Sequence, residues 1–321
     1  MPLFNILEDY KVLRYALFMS IIKPLKLAKG DIIGVISPSH YIDNAQKIKR
    51  STDLLKKMGF KILLGKNIRK RYYQAAGNTK ERLADLHDMF QNKKVKAIIC
   101  TIGGDSTNQI IDYINYDLIR KNPKIFIGSS DVTHLLCAIY TRAEIVTFHG
   151  PTLWTLSEMT KSALGFLLSL LAGEKSLIIY PNNIKIIKPG KAVGRLIGGN
   201  LFVINALMAS KYRPNFKGSI LFWEDIDEGL SALEFQLNQL KLSGIFDEIS
   251  GMIIGHIAKE KKQNRPVNDI ILELTKNNSF PIVKVEYFGH NVRNFYLLPI
   301  GVKFSVNTDQ KELKLLEPSV S

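Results

Sequence analysis

The chain has 321 residues, a formal net charge of +15 and an apolar fraction of 46%. This length allows two domains or one large domain, and the apolar fraction suits a packed core. The basic residues form short, scattered clusters without interleaved aromatic residues, which argues against a nucleic-acid-binding groove. No stretch of about 18 apolar residues is present, so no membrane span is predicted.

Residues 1–18 carry apolar patches that charged side chains interrupt, and no small-residue cleavage site follows them cleanly. We therefore treat this segment as an extension of undecided role rather than a signal peptide. Cys100 and Cys137 both lie in apolar contexts. Such contexts are typical of reduced, packed thiols, and the cysteine usage predicts a cytoplasmic protein.

Short apolar strands alternate with helices through the first half of the chain. The predicted strands are residues 32–36, 61–64, 97–101 and 124–127, and the helices between them are residues 42–58 and 79–90, with Thr79 as the N-cap of the second. This alternation predicts a parallel sheet that is covered on both faces. Functional loops of such sheets gather at the carboxyl ends of the strands, here residues 37–39, 103–106 and 128–131.

The composition changes after a helix predicted at residues 162–171. Residues 180–190 are rich in Pro, Asn and Lys and are typical of a connector. Beyond them lie predicted strands at residues 219–222, 251–257, 282–287 and 301–307, and helices at 201–208, 231–240 and 267–275. We predict an α/β domain over residues 19–175, a linker over 176–189 and a β-rich α/β domain over 190–321.

The Gly-Ser-Ser-Asp turn at residues 128–131 follows an apolar strand and precedes a helix. A side chain placed there has helix-terminal N–H groups beside it, and such groups can stabilise an oxyanion. Ser130 is therefore a candidate nucleophile. The simpler interpretation is that Ser129, Ser130 and Asp131 only cap the helix, and the turn taken alone favours it.

A serine nucleophile needs a base within reach and a carboxylate that orients this base. His134 lies four residues after Ser130, although local packing is its simpler role. His290 and Glu224 each lie at the end of an apolar strand, where a side chain can point into a cleft. Spacing alone does not choose among them. The histidines lack the spacing of a zinc site, so no metal is predicted.

The Gly-Gly-Asp-Ser-Thr loop at residues 103–107 has two interpretations. Its glycines resemble the phosphate-binding loop of certain lipid and dinucleotide kinases, although Ser106 replaces the third glycine. The backbone N–H groups of Gly103 and Gly104 could equally form half of an oxyanion hole. A phosphotransferase and a catalytically silent two-domain binding protein are therefore alternatives to a hydrolase.

Ordered sequence blocks resemble the LD-carboxypeptidase family of serine peptidases, and within it the branch that includes the microcin C self-immunity protein. The blocks are residues 30–39, 82–90, 95–104, 128–131, 148–151, 198–200, 223–225, 289–290 and 298–301. The resemblance spans residues 20–316. The chain departs from the family at Ser129, where tyrosine is usual, and between His290 and Pro299, where the stretch is one residue longer than expected.

The resemblance implies a Rossmann-like N-terminal domain and a β-rich C-terminal domain with the active site in the cleft between them. It implies Ser130 as nucleophile, His290 as general base and then acid, and Glu224 as the residue that orients the imidazole. The oxyanion would be held by the backbone N–H of Asp131 and by the turn formed by Gly103 and Gly104.

Family members are typically homodimers that need no cofactor, so we expect both properties here. The expected substrate is either a murein tetrapeptide that loses its terminal D-alanine, or a peptidyl or aminoacyl nucleotide whose amide is cut. The 103–106 loop lacks the arginine and tyrosine of the murein-recycling branch and favours the nucleotide. From their neighbours, Asn200 and Trp154 are predicted to line the substrate cleft.

Overall fold

The structure is a computed structural model that describes residues 21–174, 178–179, 184–226, 229–258, 265–290 and 293–321. The predicted extension at residues 1–18 and part of the predicted linker lie outside these ranges. Within them, no helix has the length and apolar character that crossing a membrane requires.

The first half of the chain builds a six-stranded sheet. Its first five strands are β1 (Ile32–Ile36), β2 (Lys61–Leu64), β3 (Val95–Cys100), β4 (Ile125–Gly128) and β5 (Thr147–His149). They are parallel and lie in the order β5-β4-β3-β1-β2. Strands β3 and β4 are buried along almost their whole length, as expected for the centre of a parallel sheet.

Six helices connect and cover these strands. They are α1 (Ala45–Lys57), α2 (Thr79–Gln91), α3 (Tyr116–Lys121), α4 (Thr133–Ala143), α5 (Leu153–Leu156) and α6 (Lys161–Leu171). The predicted cap of α2 is wrong by one residue. Asn78, rather than Thr79, accepts from Glu81 N, and the Glu81 carboxylate accepts from Asn78 N in return, which satisfies two otherwise unpaired N–H groups.

The second half forms an eight-stranded sheet in the order β6-β14-β13-β8-β9-β10-β11-β7. Its strands are β6 (Ile178–Ile179), β7 (Lys185–Lys188), β8 (Lys191–Asn200), β9 (Ile220–Asp225), β10 (Gly251–Ile257), β11 (Ile282–Lys284), β13 (Lys303–Asn307) and β14 (Glu312–Leu315). Strands β8 to β11 are parallel, and antiparallel strands extend both edges. The predicted α/β fold, with a parallel N-terminal sheet and a β-rich second half, is confirmed.

The described residues of this second half form four α-helices. They are α7 (Leu201–Leu207), α8 (Leu230–Leu242), α9 (Ile245–Glu248) and α10 (Val267–Leu274). The strand β9 is longer than predicted and includes Glu224, which lies inside the strand.

One late segment returns to the first sheet. The strand β12 (Leu298–Ile300) pairs antiparallel with β5, although the sequence analysis assigns it to the C-terminal domain. It contains Pro299, and proline in a short apolar run is compatible only with a sheet edge, so the sequence pattern gave no strand here. The loop between β11 and β12 therefore crosses from one sheet to the other.

Gly198 of the central strand β8 is in register with Phe222 of the neighbouring strand β9. A Cβ at this position would lie 1.7 Å from the Phe222 carbonyl oxygen. We expect Gly198→Ala to lower the free energy of unfolding by about 2 kcal/mol or more, because the backbones must separate. Urea denaturation measures this change.

Gly165 supplies the matched control, because it is exposed within α6 and a Cβ there would meet no atom within 4 Å. Gly165→Ala should raise the free energy of unfolding by about 0.5–1 kcal/mol, since alanine favours the helix. Equal effects of the two substitutions would contradict the close strand approach.

Candidate active site

A cavity of about 520 Å³ opens where the carboxyl ends of the N-terminal strands face the loop that follows β11. Residues from both halves of the chain line it. Gly103, Gly104, Ser130 and Trp154 come from the first half, and His290 comes from the second. The cavity therefore contains most of the side chains and turns that the sequence analysis selected.

Ser130 starts a short 3-10 helix two residues after the last residue of β4, with a backbone φ of 59°. A residue with a Cβ is strained in this left-handed region, at a cost of about 1–2 kcal/mol. The neighbouring Gly103 makes this turn possible, because a Cβ there would lie 2.7 Å from Ser130 Cβ and 3.0 Å from its Oγ. The same position would be 3.5 Å from Asp131 N. The glycine loop thus contacts the turn that carries the serine.

Asp131 links the loops at the ends of three strands. Its buried carboxylate accepts hydrogen bonds from Ser39 Oγ at 2.5 Å and from the N–H groups of Ser106 and Thr107, both at 2.9 Å. Burial by itself raises the pKa of Asp131, but hydrogen bonds from His134, Ser39 and Thr107 outweigh it and lower the pKa to about 2. The side chain therefore binds the glycine loop instead of capping its own helix.

Arg82 holds two of the same loops through their carbonyl oxygens. This buried guanidinium donates through Nη1 to the carbonyl oxygens of Pro38 at 3.0 Å and Ser106 at 2.8 Å, and through Nη2 to Gln109 Oε1 at 2.7 Å. Sequence reasoning missed it. The signal that could have found it is its position on α2, four residues before the buried Leu86 and therefore on the same face of the helix.

Glu224 and His290 form a tightly joined pair. Glu224 is fully buried, and its Oε2 lies 2.6 Å from His290 Nδ1 and accepts from His290 N at 3.2 Å. Its other oxygen accepts from Asn200 Nδ2 at 3.2 Å. This arrangement places the proton on Nδ1 of His290, and Glu224 does not contact Nε2. The His290 ring lines the cavity.

The pair also changes the acidity of both members. Burial by itself lowers the pKa of His290, but the adjacent Glu224 carboxylate outweighs it and the pKa is raised above its ordinary value. Burial by itself raises the pKa of Glu224, but the charge and the hydrogen bond of His290 outweigh it and the pKa is lowered. An orienting carboxylate with a basic imidazole is the arrangement that a serine nucleophile requires.

The remaining candidates separate into two groups. His134 Nδ1 lies 3.1 Å from Asp131 Oδ1 and 3.2 Å from Thr107 Oγ1, which confirms its local packing role. Trp154 lines the cavity. Asn200 is buried outside the cavity lining, where it caps α7 and holds Glu224. The structure therefore shows Asn200 supporting Glu224, and its predicted contact with substrate stays a prediction.

Ser130 and His290 line one cavity, but in the described part of the chain no hydrogen bond joins them. Hydrogen bonds between catalytic groups commonly tighten only when substrate binds. Among the described residues, no group of three or more His, Cys, Asp or Glu side chains is placed to hold a metal ion.

His149 is a second histidine close to this pair, and it was not selected as a candidate. It is fully buried, and its ring centroid lies 5.4 Å from those of Phe222 and Phe295 and 6.3 Å from that of Phe288. Burial lowers its pKa to about 4, so it is neutral at physiological pH. It therefore adds no competing positive charge beside His290.

Two family models match the chain. One, the LD-carboxypeptidase N-terminal domain, covers residues 33–150, and the other, the LD-carboxypeptidase C-terminal domain, covers residues 193–306. The chain belongs to the LD-carboxypeptidase family. It is therefore a serine-type hydrolase of the carboxypeptidase class. The resemblance inferred from the ordered sequence blocks is confirmed.

Individual relatives match over almost the full chain. The probable murein peptide carboxypeptidase of Bacillus subtilis is 33% identical over 312 residues, which cover 93% of this chain and 95% of that protein. The microcin C7 self-immunity protein of Escherichia coli is 29% identical and covers 92% of this chain and 96% of that protein.

Solved structures agree with this assignment. The wild-type microcin C7 self-immunity protein in the apo state superposes with a TM-score of 0.85 at 29% identity, covering 94% of this chain and 100% of that chain. Its complex with aspartyl sulfamoyl adenosine has the same TM-score and coverage. The muramoyltetrapeptide carboxypeptidase of Oxalobacter formigenes shares the fold, with a TM-score of 0.78.

The strained backbone of Ser130 gives a stability prediction. Ser130→Gly should be more stable than Ser130→Ala by about 1 kcal/mol, because glycine adopts the left-handed conformation without steric cost whereas alanine keeps the strain. Thermal unfolding of the two variants measures the difference. At an ordinary position glycine is the less stable of the two, so alanine being the more stable variant would show that the strain is absent.

Proposed function

We propose that this protein hydrolyses an amide bond of a small substrate through Ser130, His290 and Glu224, by way of an acyl-enzyme. The observation that carries the proposal is the Glu224–His290 pair at 2.6 Å, beside a serine that is held in a strained turn in the same cavity. Membership of a serine peptidase family supports this assignment of roles.

In the first half of the reaction Ser130 Oγ attacks the carbonyl carbon while His290 Nε2 accepts the hydroxyl proton. Glu224 keeps the imidazole in the required tautomer and stabilises its positive charge. Backbone N–H groups of Asp131 and of the Gly103–Gly104 turn donate to the oxyanion. The tetrahedral intermediate then releases the amine, which takes the proton from His290.

In the second half a water molecule attacks the resulting serine ester. His290 now accepts a proton from this water, and the same N–H groups stabilise the second oxyanion. Collapse of the intermediate releases the carboxylic acid and returns the proton to Ser130 Oγ. The loop contacts of Asp131 and Arg82 hold the glycine turn in place during both halves.

The relatives support two substrate classes. A murein tetrapeptide that loses its terminal D-alanine fits the name of the Bacillus subtilis relative, and an aminoacyl-nucleotide amide fits the ligand of the Escherichia coli protein. A homodimer and a cytoplasmic location stay predictions of the sequence analysis.

The deciding assay offers purified protein both a murein tetrapeptide and an aspartyl-adenylate amide, with mass-spectrometric detection of products. Release of D-alanine alone would indicate a wall-peptide carboxypeptidase, and cleavage of the nucleotide amide would indicate a detoxifying hydrolase. Ser130→Ala is the control and should be inactive. Equal inertness of wild type and Ser130→Ala would favour the silent binding protein.

A first kinetic prediction concerns additivity. Ser130→Ala and His290→Ala should each lower kcat by about 10⁴-fold or more, and the double variant should lose little beyond either single variant, because the two residues act as one unit. Steady-state kinetics of the three variants measure this. Losses that multiply would mean that the residues act independently.

A second kinetic prediction concerns pH. His290 must be neutral to accept the serine proton, and its pKa is raised, so kcat/KM should fall in acid with a midpoint above about 6.5. In Glu224→Gln the carboxylate is gone while burial remains, so the midpoint should move to lower pH and kcat should fall about 10³–10⁴-fold. A pH–rate profile of both proteins decides this, and an unmoved midpoint would contradict the pairing.

A further inference from the structure

Besides His290, which pairs with Glu224, three basic side chains line the cavity, and two of them already have carboxylate partners. His40 Nε2 lies 2.8 Å from Asp105, and Lys47 Nζ lies 2.9 Å from Glu158. The third, Arg293, forms no ion pair with any carboxylate in the described ranges of the chain. The cavity wall thus presents one guanidinium whose charge no described carboxylate balances.

The backbone around Arg293 is fixed although its side chain is exposed. Thr160 N donates to the Arg293 carbonyl at 3.1 Å, and Thr160 Oγ1 donates to Asn294 Oδ1 at 2.5 Å. Phe295 is only 3% exposed and packs against His149, with ring centroids 5.4 Å apart. This anchoring limits the backbone entropy that the segment would lose when the guanidinium binds a ligand.

We place Arg293 near the leaving group because of its relation to His290 in the chain and in the cavity. In the proposed reaction His290 gives a proton to the leaving nitrogen, so this nitrogen faces the His290 wall. Arg293 follows His290 by three positions and lines the same cavity. A group bonded close to the leaving nitrogen would therefore lie near the guanidinium.

Both substrate classes carry a negative charge at this place. In a peptide with a free carboxyl terminus, the carboxylate carbon is two bonds from the scissile nitrogen. In an aminoacyl-nucleotide amide, the phosphoryl group is bonded directly to that nitrogen. Carboxylate and phosphoryl oxygens are both matched by the planar fork of N–H donors on arginine.

We propose that Arg293 binds the anionic group adjacent to the scissile nitrogen and thereby selects substrates whose leaving amine carries a negative charge. This inference rests on the proposed function and adds to it the chemistry of the leaving group. Arg293 is a specificity-determining residue, whereas bond cleavage itself belongs to the serine site.

The test compares anionic substrates with neutral partners of the same shape. The first pair is a murein tetrapeptide and its C-terminal carboxamide, and the second is an aspartyl-adenylate amide and its phosphoryl methyl ester. Wild type, Arg293→Met and Arg293→Lys are assayed on all four. Arg50→Met is the matched control, because Arg50 is exposed on α1 and is not part of the cavity lining.

We expect Arg293→Met to lower kcat/KM for the anionic member of the cleaved pair about 10- to 100-fold, the loss typical of a charged hydrogen bond. Activity on the neutral member should not change, Arg293→Lys should keep part of the preference, and Arg50→Met should behave as wild type. The pair that shows the effect identifies whether the anion is a carboxylate or a phosphoryl group. An unchanged preference in Arg293→Met overturns the inference.

Binding measurements test this inference independently of the proposed function. The same four ligands are titrated by calorimetry into Ser130→Ala and into the Ser130→Ala/Arg293→Met double variant. Loss of the anion preference only in the double variant supports Arg293 whether or not turnover is observed, and equal affinities in both variants overturn it. Turnover that survives Ser130→Ala overturns the proposed function alone.

Discussion

The arrangement of the site depends on one buried carboxylate, that of Asp131. A buried negative charge is costly unless donors surround it, and here Ser39 and the N–H groups of Ser106 and Thr107 supply them. Because Asp131 is the next residue after Ser130, satisfying this charge also fixes the backbone of the strained turn. Arg82 holds the same loops through their carbonyl oxygens, so donors and acceptors of the glycine loop are both engaged.

The second half of the molecule contributes a different kind of constraint. Glu224 lies inside a central strand, and its partner His290 lies in the loop that leads to β12, the strand that joins the first sheet. This return strand couples the two sheets, so the distance between serine and histidine depends on how the halves of the chain pack together. The neutral, fully buried His149 lies at this junction among phenylalanine rings.

Electrostatics connect the composition of the chain with its site. A net charge of +15 attracts anions at long range. Because the basic residues are scattered, this charge does not indicate a nucleic-acid partner. Inside the cavity, His40 and Lys47 each contact an acidic side chain, whereas Arg293 contacts no described carboxylate and its charge is available to a ligand. A small anionic substrate is consistent with both the overall and the local charge.

The sequence alone determined the alternation of the central buried strands with helices, because buried strands are continuous apolar runs and helices show their own period. It also selected Ser130, Glu224 and His290 by placing each at a strand end, where parallel sheets carry functional groups, although Glu224 lies inside β9 and His290 lies in the loop after β11. Residue spacing left His134 and His290 open as bases and only the family resemblance pointed to His290; the tertiary structure shows that His290 pairs with Glu224, whereas His134 contacts the neighbouring Asp131. The roles of Arg82, Asn200 and β12 were likewise invisible, because each depends on contacts between residues far apart in sequence. Local patterns encode which face is buried, whereas pairing across the fold is set by packing.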